Sequence, residues 1–217
     1  MNRAKVAVRF GMTLLVAALV APSPARAQVG KSSGVLEANL ATKEQLVALP
    51  GVSAAVADAL IQGRPYADMT ALDKVLKGKV GDAERGELYK RLFLPINLNT
   101  ATREEILLIP GVGPRLVREF FEYRPFKAMA QFRREFGKYM DAAEVARIEQ
   151  YVFIPLDLNT ASDEDMLTIP GVGARMLKEF KEYRPWKSAE QFRREIGKYV
   201  SKEEVARLER YVTFGGN

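Results

Sequence analysis

The feature that most constrains this chain is a period of 60 residues. Pro50-Gly51-Val52 returns as Pro110-Gly111-Val112 and Pro170-Gly171-Val172, and Gly63-Arg64-Pro65 returns as Tyr123-Arg124-Pro125 and Tyr183-Arg184-Pro185. Cuts at 35–94, 95–154 and 155–214 align three units without a gap. Units two and three agree at 35 of 60 positions, whereas unit one has diverged. Self-similarity of this kind marks a repeat array in which stacked neighbours bury a shared apolar face. Pro95-Ile96 and Pro155-Leu156 join the units with no Gly/Ser-rich tether, so a close-set array is expected rather than flexible beads.

Within a unit the local signals predict four short helices. Thr102-Arg-Glu-Glu105 is a capping box, in which the Thr hydroxyl accepts the N3 amide and the Glu returns to the Thr amide. Thr42 to Gln45 and Ser162 to Asp165 repeat it. The first helix ends at Pro110 or Pro170, because proline lacks an amide and disfavours helix just before it. A second helix follows Gly113 or Gly173, with Leu116, Val117 and Phe120 (or Met176, Leu177 and Phe180) facing inward, and stops at Tyr-Arg-Pro. Ser188 caps a third helix, and Asp141 and Ser201 cap a fourth. No alternating stretch competes as a strand, so the expected class is all-α. Tyr66, Phe126 and Trp186 share one repeat position and read as packing anchors.

Composition removes several kinds of chemistry. The 217 residues include neither Cys nor His, so thiolate nucleophiles, imidazole bases, disulfides and the usual zinc ligands are excluded. The acidic runs Glu104-Glu105 and Asp163-Glu164-Asp165 lie in first helical turns, where they complement the helix dipole. No metal, cofactor or catalytic residue is implied, and no enzymatic activity is expected. The formal charge of +6 hints at a polyanionic partner, but its location matters more than its sum. Arg3, Lys5 and Arg9 precede an apolar run from Phe10 to Ala21, and Ala25-Arg-Ala27 is a small-x-small cleavage pattern. The run falls short of the roughly 20 residues that a membrane helix needs. Residues 1–27 are therefore read as a cleaved signal peptide, with cleavage near Ala27/Gln28, a leader over 28–34, and a periplasmic or secreted product without a membrane span. Removing four basic residues leaves the mature chain at only +2.

The turn between the first two helices carries the binding chemistry. Ile109-Pro-Gly-Val-Gly113 and Ile169-Pro-Gly-Val-Gly173 each set two glycines one residue apart. Such glycines permit positive φ and leave no side chain to obstruct an approaching backbone. Val112 and Val172 can anchor the turn between the helices. The second glycine precedes a helix N-terminus, whose free amides and partial positive charge suit a phosphate. The same loop also suits a tight helix-helix turn that binds nothing. Local charge separates the units. Residues 111–127 carry a net +2 and 171–187 a net +3, with Arg115, Arg118, Arg175 and Lys178 nearest the turns, whereas 51–67 is neutral. Unit one also has Ser53 where the second glycine stands. Glycine and charge fail together in one unit and persist together in two. An i,i+4 ion pair between Arg115 and Glu119 would account for part of the pattern.

Asn97-Leu-Asn-Thr-Ala, the Pro-Gly-Val-Gly113 turn and Tyr123-Arg124, repeated from Asp157 to Arg184, resemble the helix-hairpin-helix module of ComEA-type DNA receptors. The likeness covers units two and three fully and unit one loosely. It implies a SAM-like bundle of tandem hairpins that binds double-stranded DNA independently of sequence, outside the inner membrane, during competence and DNA uptake. It further implies phosphate contact by the turn backbones, Gly111, Val112 and Gly113 with Gly171, Val172 and Gly173, assisted by Arg115 or Arg175 early in the second helix. The second turn of each unit departs from the family's Gly-x-Gly. It reads Gly137-Lys-Tyr139 and Gly197-Lys-Tyr199, which leaves Lys138 and Lys198 as secondary candidates or as solvated turn lysines. Arg124 and Arg184, at a helix end, suit C-terminal capping as well as DNA contact. A rival reading is an exported structural or assembly module that contacts other envelope proteins, because the photosystem subunit PsbU looks like the same fold without a nucleic-acid task.

Overall fold

A computed structural model describes residues 34–215, so the signal-peptide expectation and most of the leader lie outside the described residues. The described chain is mainly helical, with twelve short helices and six two-residue strands. Unit one holds β1 (Leu36–Glu37), α1 (Lys43–Val47), α2 (Ala54–Gln62), α3 (Met69–Leu76), α4 (Asp82–Leu88) and β2 (Leu92–Phe93). Unit two holds β3 (Ile96–Asn97), α5 (Arg103–Leu107), α6 (Pro114–Glu122), α7 (Met129–Phe136), α8 (Ala142–Glu149) and β4 (Val152–Phe153). Unit three holds β5 (Leu156–Asp157), α9 (Asp163–Met166), α10 (Ala174–Glu182), α11 (Ala189–Ile196), α12 (Lys202–Glu209) and β6 (Val212–Thr213). No helix among the described residues is long and apolar enough to cross a membrane.

The helices begin where the capping residues place them. Thr42, Thr102 and Ser162 each accept the N3 amide and receive the N3 side chain in return. Asp141, Ser188 and Ser201 cap α8, α11 and α12. The strands were not legible as strands. Each pairs in parallel with the other end of its own unit, Leu36 with Leu92, Ile96 with Val152 and Leu156 with Val212. Two residues are too few for alternation to register in a sequence, and the partners are far apart along the chain.

The aromatic residues form the interior. Phe120, Phe132 and Phe136 interlock with ring centroids 4.5–6.1 Å apart. Units one and two share one continuous apolar core from Val35 to Ile154, and a second cluster from Phe153 to Val212 fills unit three. One aromatic pair marks each joint: Phe93 meets Tyr151 at 4.9 Å, and Phe153 meets Tyr211 at 4.6 Å. Polar contacts reinforce the joints. Glu105 caps its own helix with one oxygen and accepts the Met69 amide of unit one with the other, and Arg210 donates to the Pro95 carbonyl at 2.9 Å.

Unit one also meets unit three. The two Glu37 oxygens are buried without a hydrogen-bond partner, facing Arg207 and Arg210 of α12 and its C-cap, with Tyr211 and Arg64 close by. Burial pushes the Glu37 pKa above its ordinary 4.5 despite the two arginines. Between the unfolded and the folded value, the folded state holds a proton that the unfolded chain has released. Its stabilising contribution is complete below the unfolded value and is lost as pH rises through the folded one. Glu37→Gln is expected to raise Tm at pH 7 and to change it little near pH 4 in thermal melts. A lower Tm at pH 7 would show that attraction to the arginines outweighs burial.

Candidate nucleic-acid interface

The turn between α5 and α6 is built from a short series of backbone requirements. Leu108 closes α5, Pro110 prevents its continuation, and the Val112 amide bonds back to the Ile109 carbonyl at 3.0 Å. Gly111 takes φ +79°, a left-handed conformation that side chains resist. Val112 is buried between the helices. Unit three repeats the geometry at Gly171, also φ +79°, and Val172.

The second glycine has a different role from the one its spacing suggests. Gly113 and Gly173 lie at φ −104° and −114°, extended conformations open to any residue, and act as N-caps of α6 and α10. A Cβ at either position would meet nothing within 4 Å. Neither conformation nor crowding therefore requires glycine there. What glycine does is leave the helix N-terminus bare, since no side chain caps α6 or α10. Unit one supplies the contrast. Ser53 occupies the same place at φ −73°, and its hydroxyl accepts the Val56 amide. One unit closes its helix terminus with its own side chain, and two leave theirs without a side-chain cap.

The basic residues expected beside the turns are exposed: Arg115 and Arg118 on α6, and Arg175 and Lys178 on α10. None has an ion-pair partner among the described residues. The expected pair between Arg115 and Glu119 does not form. Glu119 turns inward and is 9% exposed, close enough to Tyr139 to influence its hydroxyl. Glu179 and Tyr199 repeat this in unit three. In unit one Ala55 and Asp58 stand at the cation positions, and Asp58 is engaged by Lys43 at 2.6 Å.

The second turns are arranged otherwise. Lys138 pairs with Glu135 and lies over the Tyr123 ring at 5.2 Å, and Lys198 pairs with Glu195 and lies over Tyr183 at 5.3 Å. The tyrosine hydroxyls of 123 and 139, and of 183 and 199, bond at 2.8 Å. The hydrogen bond with Tyr123 and the nearby Glu119 carboxylate push the Tyr139 pKa up. Gly137 stays near φ −61°, and its glycine serves space, because a Cβ there would lie 2.8 Å from the Arg133 carbonyl. These secondary candidates are tied to their own unit.

Arg124 and Arg184 cap no helix end. Arg124 turns inward to the carbonyls of Leu98 and Ala101, and Arg184 to that of Ala161. Beside them Asn99 and Asn159 grip the backbone of the aromatic anchor, accepting the Phe126 or Trp186 amide at 2.7 Å and donating to its carbonyl at 2.9 Å. Asn39 does the same to Tyr66. These anchors are buried, as expected. The Asn clamp went unread, although an Asn kept in the diverged unit one was its signal. Also unread were Arg147 and Arg207, which come from the fourth helices of units two and three. A Cβ on Gly111 would lie 2.9 Å from the Arg147 guanidinium, and one on Gly171 would lie 3.0 Å from that of Arg207. Glu87 stands at their position in unit one. Among the described residues no group of His, Cys, Asp or Glu is placed to hold a metal ion. Comparison with known protein families, with curated proteins and with solved structures finds no match for this chain.

Proposed function

We propose that the chain is an exported, non-enzymatic protein that binds double-stranded DNA independently of sequence, gripping phosphates at the first turns of units two and three. The reading takes the array as tandem helix-hairpin-helix repeats of the ComEA type, with unit one a structural repeat and DNA uptake the process served. One observation carries it. The N-termini of α6 and α10 lack any side-chain cap and sit beside unpaired cations, whereas Ser53 fills the same place in unit one. Amides and a helix dipole recognise phosphate and ignore the bases. Two such grips on one duplex raise affinity through effective concentration.

A second reading has its own support. Val47, Leu107 and Leu167 share one repeat position and are 42%, 39% and 47% exposed. Unit one keeps this apolar side chain although it has lost the glycine and the cations, which suits contact with another envelope protein. An electrophoretic mobility shift of the chain from Gln28 onward with random-sequence duplex discriminates the two. Retardation at low salt that fades at moderate salt supports DNA binding, and no retardation at low salt refutes it.

A further inference from the structure

The two glycine turns are flanked differently. In unit three the flank of the turn is filled. Arg207 is 2% exposed, donates to the Pro170 carbonyl at 2.7 Å and holds Glu204 with its other nitrogens. Leu40 of unit one lies 3.3 Å from where a Gly171 Cβ would stand. In unit two the same flank is open. Arg147 holds Glu144 but makes no bond to the Pro110 carbonyl, and no unit-one side chain fills the place of Leu40. An open pocket of about 510 Å³ remains there, lined by Val35, Lys90, Gly111, Glu144, Arg147 and Tyr151 among others. It runs from the Gly111 backbone to two cations contributed by different units. Lys90 projects from the end of unit one, 55% exposed and paired with Glu87 at 2.6 Å, and Arg147 from α8, 32% exposed.

From this geometry we infer that the pocket between Lys90 and Arg147 is a second phosphate subsite, continuous with the unit-two turn and absent from unit three. The inference rests on the DNA-binding reading above. A phosphate bound at the α6 N-terminus has neighbours along the same strand, and a cationic recess beside the turn is placed to receive one of them. Arg147 offers a planar guanidinium and Lys90 an exposed ammonium that a phosphate would share with Glu87, both suited to phosphate oxygens. Glu144 is the one acid in the lining and opposes the anion. It also ties down Arg147, and the pairing lowers the Glu144 pKa and raises that of Arg147. The lining accordingly makes two expectations of opposite sign. Removing its cations weakens DNA binding, and removing its acid strengthens it. In unit three no equivalent change is available, because Arg207 is already committed to Pro170 and Glu204.

The test measures duplex affinity by fluorescence anisotropy over a salt series, with the parent chain from Gln28, Lys90→Gln/Arg147→Gln and Glu144→Gln. The double variant is expected to bind about 3- to 10-fold more weakly, with the slope of log K against log salt shallower by about one, as loss of one phosphate contact requires. Glu144→Gln is expected to bind about 2- to 5-fold more tightly, a gain that a misfolded chain could not produce. A parent that binds duplex alongside variants that bind as it does would overturn the subsite and leave the proposed function standing. A parent that binds no duplex at low salt would overturn both.

Discussion

Gly113→Val combined with Gly173→Val is expected to weaken duplex binding by about 100-fold while leaving the array folded. The estimate takes one charge-assisted contact, roughly 1.5 kcal/mol, lost at each of two termini, and tenfold per 1.4 kcal/mol. Both glycines are extended N-caps with nothing within 4 Å of a Cβ, so a β-branched residue is tolerated where it stands. It nevertheless covers the helix amides to which a phosphate must come. Anisotropy with two duplexes of unrelated sequence gives the readout, and a thermal melt checks the fold. The loss should be equal for both duplexes, because the contact reads the backbone alone. Unchanged affinity, or a loss confined to one sequence, would contradict phosphate recognition at these turns. The natural contrast already exists within the chain, since Ser53 fills the corresponding terminus of unit one. Substitution at Gly111 or Gly171 would be a poorer test, because a side chain at φ +79° is strained whatever binds.

The largest effect on stability is expected from Phe192→Ala. Phe192 is fully buried on α11, with Phe180 at 5.8 Å, Trp186 at 5.4 Å and Phe214 at 5.2 Å. Truncating such a ring costs about 3–5 kcal/mol, through lost burial and the cavity left behind. Its core is the separate cluster of unit three, distinct from the one shared by units one and two. Repeat arrays lose cooperativity when one unit is weakened more than its interface can compensate. The variant should therefore unfold in two steps in urea. Trp186, the single tryptophan, reports unit three by fluorescence, and far-UV circular dichroism reports the whole chain. The fluorescence midpoint is expected to fall well below the main dichroism midpoint. Coincident midpoints would show that the joints at Phe153–Tyr211 and Arg210–Pro95 bind the three units into one cooperative block.

Helix positions were legible because they are encoded locally. Thr102 with Glu105, Asp141 and Ser201 each act on amides within one turn, and Pro110 ends a helix by its own covalent structure. The anchors at 66, 126 and 186 were legible for a different reason, since repetition multiplies the evidence for an apolar position. What escaped depended on contacts distant in the chain. Asn99 grips Phe126 across 27 residues, and Ile96 pairs with Val152 across a whole unit. Arg147 reaches the turn from α8, a helix whose pattern says only which face is inside. Glu119 illustrates the limit most directly. Its i,i+4 spacing from Arg115 suggested a surface pair, but Glu119 is buried and lies near Tyr139, a neighbour 20 residues on that helical spacing does not reveal. The turn glycines were half legible. Gly111 needs its positive φ, as the spacing implied, whereas Gly113 matters for the terminus it leaves bare.

The central claim is that the protein holds DNA by its phosphates, and salt dependence addresses it most directly. The affinity of the chain from Gln28 for two random duplexes of unrelated sequence should be measured across salt concentration. With one to two phosphates neutralised at each of two turns, log K is expected to fall against log salt with a slope of about −2 to −4. Both duplexes should follow one line. An affinity indifferent to salt, or no binding to either duplex at low salt, would contradict the account.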